Sequence, residues 1–389
     1  MIPSSPRAAD PLRRKAPPAG FDQAPFLAIW EVTQACDLAC AHCRACATTG
    51  RDPEELTTAE GKRLLAQIAA MGTPLAVLTG GDPAKRPDLV ELVEHGVHCG
   101  LTMAVTPSGT PLLTRDLVVQ LKAAGLSRLA VSVDGADAAT HDAFRGVAGS
   151  FAQSLRILRD AREIGLEVQV NTTAGPHNRG TIGAMADLVA RVGAALWSVF
   201  LVVPTGRAGR SLLFGPAEIE QILGQLADVA ASAPFDVKTT AAPHFRRVLL
   251  ERRAGRGAIG VLSDVDEAGL VRGPRGINDG SGFVFVSNRG EIFPSGFLPL
   301  RAGDVRADNI ADVYRRHPLF TALRDADALG GKCGVCPFRR VCGGSRARAF
   351  ALTGDYLAED PLCAYEPRGR PAARPAPEPA RTAAGRSQP

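Results

Sequence analysis

Four of the nine cysteines in this 389-residue chain lie within one sixteen-residue stretch, EVTQACDLACAHCRAC, at positions 36, 40, 43 and 46. The spacing C-x3-C-x2-C-x2-C admits three uses: a zinc knot, an iron–sulfur carrier in which Cys46 completes the ligand set, or a cluster held by three thiolates with one iron left open. Zinc sites usually pair two cysteines with a distant second pair, whereas thiolates from consecutive turns of one loop suit one face of a cubane. A second set lies near the other end, in CGVCPFRRVC and DPLC, as Cys333, Cys336, Cys342 and Cys363. By spacing alone, C-x2-C-x5-C with a distant fourth cysteine also suits zinc. Cys99, late in a helical pattern, reads as a buried apolar residue.

These loops need a rigid frame. Short apolar runs, FLAIWEV, LAVLTGG, LTMAVTP, SRLAVSVDG, LEVQVNTT and LWSVFLVVP, read as buried parallel strands. Between most of them lie segments with apolar residues three and four apart: Thr57 to Met71, Pro87 to Cys99, Arg115 to Ala124, Ser150 to Ile164 and Thr181 to Val192. Alternation of this kind predicts an α/β fold, a partial (β/α)6 barrel whose first strand delivers the first cysteine loop to the face where barrel enzymes keep their sites. After Pro204 the pattern breaks into a TGRAGR loop, a helix from Pro216 to Ala231 and a Gly-rich stretch from Ala254 to Gly282. GFVFVSNRGEIF then alternates around Asn288-Arg289-Gly290 and predicts a hairpin.

The expected organisation is a disordered basic tail over residues 1–22, a core barrel over 23–210, connecting helices and a Gly-rich loop over 211–282, a small C-terminal α+β domain over 283–366, and a disordered Pro/Ala/Arg tail over 367–389. Hydrophobic residues at 45 % and charged ones at 22 % allow an ordinary buried core. The net charge of +5 belongs to the tails: Arg7, Arg13, Arg14 and Lys15 stand against Asp10, and five arginines beyond Pro367 stand against Glu378. The part between is slightly acidic, so no nucleic-acid partner is expected. There is no apolar signal region and no run of 18 apolar residues, which predicts a cytoplasmic protein without a membrane partner. In a reducing compartment clustered cysteines are more often metal ligands than disulfides.

C-x3-C-x2-C after a first strand, followed by TGGDP after a second, resembles the radical S-adenosylmethionine (SAM) enzymes. In that family three cysteines bind a 4Fe-4S cluster, SAM chelates the fourth iron, and reductive cleavage of SAM gives a 5′-deoxyadenosyl radical that takes a hydrogen atom from the substrate. The resemblance makes Cys36, Cys40 and Cys43 the ligands and leaves Cys46 surplus, with His42 where the family often has an aromatic residue. Gly80, Gly81, Asp82 and Pro83 match the Gly-Gly-Glu-Pro motif with Asp for Glu, and imply a backbone seat for the SAM ammonium. Ser132, Asp134, Arg145 and Asn171, at later strand ends, stand where similar enzymes contact the ribose and the methionine carboxylate. A helix cap at Asp134 and a structural ion pair at Arg145 are the competing readings.

The second cysteine set resembles the SPASM or twitch auxiliary-cluster domain, supported by NIADVYRRHPLF and CGGSRAR. A complete domain of that type holds two auxiliary clusters. Here Ser295 and Arg346 occupy two of the positions where it has cysteines, which implies that one auxiliary cluster is lost while the other keeps four ligands. The implied cofactors are SAM and two 4Fe-4S clusters, the implied electron source a reductant such as flavodoxin or ferredoxin. No protein side chain is singled out as a catalytic acid or base. The substrate implied is a haem-type tetrapyrrole side chain; Arg272 and Arg275 are candidates for its carboxylates, although solvated loop arginines are the favoured reading of that pair, and maturation of a ribosomally made peptide is the alternative substrate class. From another class, a non-catalytic electron carrier remains open.

Overall fold

The computed structural model describes residues 21–255 and 276–367. Residues 1–20 and 368–389 of the two tails, and Arg272 and Arg275, lie outside the described residues.

Seven strands run in chain order and in parallel: β1 (Leu27–Thr33), β2 (Leu75–Gly80), β3 (Thr102–Val105), β4 (Arg128–Ser132), β5 (Glu167–Ala174), β6 (Leu196–Leu201) and β7 (Asp236–Thr240). Helices α1 (Thr58–Ala70), α2 (Leu89–His98), α3 (Arg115–Ala123), α4 (Ala138–Arg145), α5 (Ser150–Glu163) and α6 (Ile182–Val192) connect the first six strands. Strands covered by helices read as near-continuous apolar runs, and β1 shows why: Trp30, Glu31, Val32 and Thr33 are all buried. The helices turn one stripe inward; α1 buries Gly61, Leu64, Leu65 and Ile68, and starts from a capping box between Thr57 and Glu60. The result is the expected α/β architecture, an open partial barrel.

The segment expected to be connecting helices and a loop contributes more than that. After α7 (Pro216–Ser232) the chain forms β7, paired with β6, and α8 (His244–Gly255). DVKTT carries one buried apolar residue, Val237, so hydrophobic patterning gives it almost no signal. The short, polar α4 is hidden for the same reason.

The predicted hairpin forms as β8 (Phe283–Val286) and β9 (Glu291–Phe293), with Gly290 at φ +95° in the turn. It does not stand apart. β8 pairs in parallel with the free side of β1, from Leu27 with Phe283 to Trp30 with Val286, and β10 (Gly303–Asp304) continues beyond β9 to complete a ten-stranded sheet. Short helices follow: α9 (Ile310–Arg316), α10 (Pro318–Arg324), α11 (Gly331–Val335) and α12 (Arg346–Thr353). Arg306 ties this region to α1, donating to Glu60 Oε1 at 2.8 Å and to the carbonyls of Arg289 and Glu54 at 3.0 Å each.

Candidate functional site

The first cysteine loop leaves β1 at Thr33 and is held chiefly through its backbone. Thr33 Oγ1 and the Gln34 amide both donate to Glu55 Oε1, at 2.5 and 3.2 Å. Cys36 N donates to Thr48 O at 2.7 Å, closing the loop on itself. Ala39 N and Ala41 N lean on the end of α4 through the carbonyls of Arg145 and Phe144, at 3.1 and 3.0 Å. From the other side, Arg207 N donates to Cys43 O at 2.9 Å. Arg44, half of a pair with the buried Glu31 at 2.8 Å, lies over the Phe285 ring of β8.

Gly80 and Gly81 permit the closest approach in this frame. A Cβ on Gly80 would run into the Thr33 carbonyl, and one on Gly81 into the carbonyls of Gln34 and Ala35. Gly81 N and Asp82 N instead donate to Thr33 O and Ala35 O at 2.8 and 2.7 Å. The glycines of TGGDP therefore let the β2 loop lie flat against the cysteine loop, whatever else their backbone serves.

One cleft of ≈ 1090 Å³ opens at this face, and Cys36, Cys40 and Cys43 share its wall with Gly80, Gly81, Ser132, Arg145 and Asn171. Phe200, Val202, Val203 and Phe297 supply an apolar side. Cys46 is not on the wall; it is exposed, at φ 49°. Three thiols on one cavity and a fourth turned away fit a cluster with one open iron better than a closed four-thiolate site.

Asp82, Pro83 and Asp134 are also absent from the wall. Pro83 opens a 3-10 turn. The buried Asp82 accepts from Thr110 Oγ1 at 2.5 Å, Ala84 N at 3.1 Å and Ser108 N at 3.3 Å, and burial pushes its pKa up. Asp134, fully buried, accepts from Thr173 N at 2.6 Å and pairs with Arg145 at 2.5 Å. Burial alone would raise the Asp134 pKa; the Arg145 charge overrides it and holds the carboxyl below its ordinary range. The ion pair anticipated as the competing reading of Arg145 is thus present, while the cap of α4 is Asp137 rather than Asp134. Arg145 Nη1 also stands 3.7 Å from Cys40 Sγ, so this pair positions a cation beside a cluster-ligand candidate.

Sequence reasoning missed two features. Ser108, in the loop after β3, stands with its Oγ 3.3 Å from Cys36 Sγ and donates to Gly81 O at 2.7 Å. The signal was there, since TPSG follows a strand end at the same face as the other site loops. Burial raises the Cys36 thiol pKa, and the contact with Ser108 offsets part of that. The second feature is a stack of three rings: His42 lies 4.2 Å from Phe144, and Phe144 lies 3.5 Å from His177. Burial, aided by the Arg145 charge, drops His42 to about 3 and keeps its ring neutral.

The other four cysteines meet in a smaller cavity of ≈ 340 Å³, together with His244, Arg247, Lys332 and Tyr365. α11 carries Cys333; Cys342 N donates to Phe338 O at 2.8 Å, and Cys363 N to Asp360 O at 3.1 Å. Burial pushes Cys342 up to about 12 and Cys363 to about 11, and raises Cys336. Such thiols ionise readily only against a metal's charge. The four thiols line one shared cavity, an arrangement able to take a cluster. Ser295 and Arg346 do not line this cavity. Cys99 is half-buried rather than buried, its Sγ 3.5 Å from His95 Nε2.

Comparison with known proteins places these two sites in context. The sequence profile of the radical SAM superfamily matches residues 30–189. An AdoMet-dependent heme synthase of Methanosarcina barkeri is 40% identical over 344 residues, 88% of this chain and 97% of that protein. A PqqA peptide cyclase of Rhodopseudomonas palustris is 30% identical over 356 residues, 88% of each. The crystal structure of Streptococcus suis SuiB bound to S-adenosylmethionine superposes with a TM-score of 0.70 at 16% identity, covering 88% of this chain and 78% of that one.

Proposed function

The chain belongs to the radical SAM superfamily, and from that premise we propose that it abstracts a hydrogen atom from a side chain of a haem-type tetrapyrrole. It is an enzyme of radical chemistry that uses a 4Fe-4S cluster and SAM, which sets aside the non-catalytic carrier. The observation that carries the site reading is the sharing of one cleft wall by Cys36, Cys40 and Cys43 while Cys46 stands outside. When bound there, the cluster and SAM supply one-electron cleavage of the sulfonium and a 5′-deoxyadenosyl radical.

The chain's own residues then have definite tasks. Cys36, Cys40 and Cys43 hold the cluster through thiolates. Ser132, at the end of β4, and Asn171, its partner within β5, both on the wall, offer hydrogen bonds to ribose hydroxyls. Arg145, held in position by its pair with Asp134, faces the methionine carboxylate. Gly80 and Gly81 bring backbone to the ammonium, with Asp82 and Pro83 fixing the turn from behind. The apolar side formed by Phe200, Val202, Val203 and Phe297 excludes water and suits the flat face of a macrocycle. Cys333, Cys336, Cys342 and Cys363 hold a second 4Fe-4S cluster whose four thiolates leave no iron for SAM.

Support for the tetrapyrrole comes from the 40% identity to a heme synthase over nearly all of that protein; a ribosomally made peptide is the second reading, favoured by the peptide cyclase relative. A flavodoxin or ferredoxin as reductant, and a cytoplasmic setting without nucleic-acid or membrane partners, complete the proposal. Among the described residues no helix is long and apolar enough to cross a membrane.

The test is anaerobic reconstitution followed by incubation with SAM, dithionite and either an iron porphyrin bearing propionate side chains or a candidate peptide. About eight irons per chain are expected from two cubanes, with 5′-deoxyadenosine and a mass change in the porphyrin. Zinc with about four irons would refute the second cluster; a changed peptide and an unchanged porphyrin would replace the substrate.

A further inference from the structure

Two buried arginines lie in α12, the helix after Cys342, and they differ in one respect. Arg348 turns its guanidinium onto Asp360, Nε to Oδ1 at 3.0 Å and Nη2 to Oδ2 at 2.6 Å. Arg346, 1% exposed, donates to three carbonyls: Gly344 O at 3.3 Å, Tyr356 O at 3.1 Å and Ala358 O at 2.6 Å. Its Nη2 stands 3.7 Å from Cys333 Sγ. Among the described residues no carboxylate is in ion-pair contact with it. Asp360 is occupied by Arg348, by the Ser345 amide at 2.9 Å and by His244 Nε2 at 3.1 Å.

Carbonyls satisfy N–H groups but carry no net charge, and a guanidinium cannot shed its proton. A buried cation without an anion is costly, and removing one partner of a buried pair is strongly destabilising. Within its hydrogen-bonding reach, the group able to become an anion is the Cys333 thiol. Arg246 repeats the pattern on a smaller scale, donating to Val341 O at 3.1 Å and Ile277 O at 2.7 Å.

We propose that Arg346 is the standing counter-charge of an iron–sulfur cluster held by Cys333, Cys336, Cys342 and Cys363, and that through its N–H contact to Cys333 it favours the cluster's reduced state. The inference rests on the reading of these cysteines as cluster ligands. Four thiolates around a 4Fe-4S core leave the assembly anionic, one charge more so after reduction. A fixed cation lowers the energy of the more negative state further, which raises the reduction potential. The arginine in CGGSRAR, at a position where the resembling domain has a cysteine, thereby serves the cluster that remains.

The test uses full-length protein in which Cys36, Cys40 and Cys43 are replaced by Ala, so that the C-terminal cluster alone gives the signal in an EPR-monitored redox titration. In that background Arg346→Met should move the one-electron equilibrium toward the oxidised form by about tenfold, a potential lower by ~59 mV, while Arg346→Lys should stay near the parent. An Arg346→Met protein with full iron content and an unmoved potential overturns the proposal. Should Arg346→Met fail to hold iron or to fold, Arg346→Lys decides: recovery of the cluster supports a charge role, and failure alongside Met overturns it in favour of geometry alone. A parent protein with no iron at the C-terminal site would overturn the underlying cluster reading, an outcome distinct from iron retained at an unchanged potential.

Discussion

The two cysteine sites are built on opposite plans. At the barrel mouth three thiols face a cleft of ≈ 1090 Å³, on a loop gripped by backbone hydrogen bonds from several barrel loops. In the C-terminal region four thiols surround ≈ 340 Å³ among buried arginines, a histidine and an aspartate. On the proposed reading the larger cavity, with three thiols on its wall, receives a co-substrate, and the smaller one, with four, holds its contents. The same residue type would then serve exchange at one end and retention at the other, with the surroundings making the difference.

The sharpest way to break this contrast is to remove thiols. Cys40→Ala should reduce 5′-deoxyadenosine formation to background, whereas Cys46→Ala should keep the mouth cluster and its SAM cleavage. Replacing Cys333 and Cys336 together should leave uncoupled cleavage in protein that still folds, while substrate turnover disappears; deoxyadenosine yield, iron content and a melting curve measure all three. Loss of cleavage in Cys46→Ala would make the mouth a four-ligand site and erase the difference.

A smaller effect lies in pH. Burial raises Cys342 from 9.0 to about 12, so the cluster-free fold prefers the protonated thiol. Its stabilising contribution is complete below pH 9 and is lost as pH rises toward 12, amounting to about 1.4 kcal/mol by pH 10 from this thiol alone. Cluster-loaded protein, with its ligands already deprotonated, should lack that loss. Denaturant midpoints of both forms at pH 8 and pH 10 would show it, and equal slopes would contradict it.

The smallest effect concerns the surplus thiol. Cys46 holds φ at 49°, a left-handed conformation that costs a side-chain-bearing residue about 1 kcal/mol. Cys46→Gly should therefore be neutral or stabilising by up to about 1 kcal/mol in a denaturant titration, whereas the same change at the buried Cys36 should destabilise.

Much of this was legible in the sequence because the loops obey local rules. Six strand runs could be placed from patterning, and the cysteine loop with the glycines beside it from the resemblance of their motifs to those of a known family. What escaped depends on partners distant in the chain. β7 is polar because it is an edge strand, paired only with β6; the contacts of Asp134 with Arg145 and the Thr173 amide come from parts of the chain that sequence patterning does not connect. Arg346 looked like the mark of a lost cluster, and only the three carbonyls and Cys333 around it reveal an unbalanced charge.

The pairing of β8 with β1 has a consequence for synthesis. The strand that carries the first cysteine loop leaves the ribosome about 250 residues before one of its two neighbours. Until then Leu27 to Trp30 keep one row of backbone donors and acceptors unpaired, an edge that invites association with other chains. Closing it means bringing distant parts of the chain together, which is slow relative to local pairing. Iron delivered to Cys36, Cys40 and Cys43 during that interval would meet a loop whose supporting strand is still half-built. The order of events that the topology favours is sheet closure first and metal afterwards.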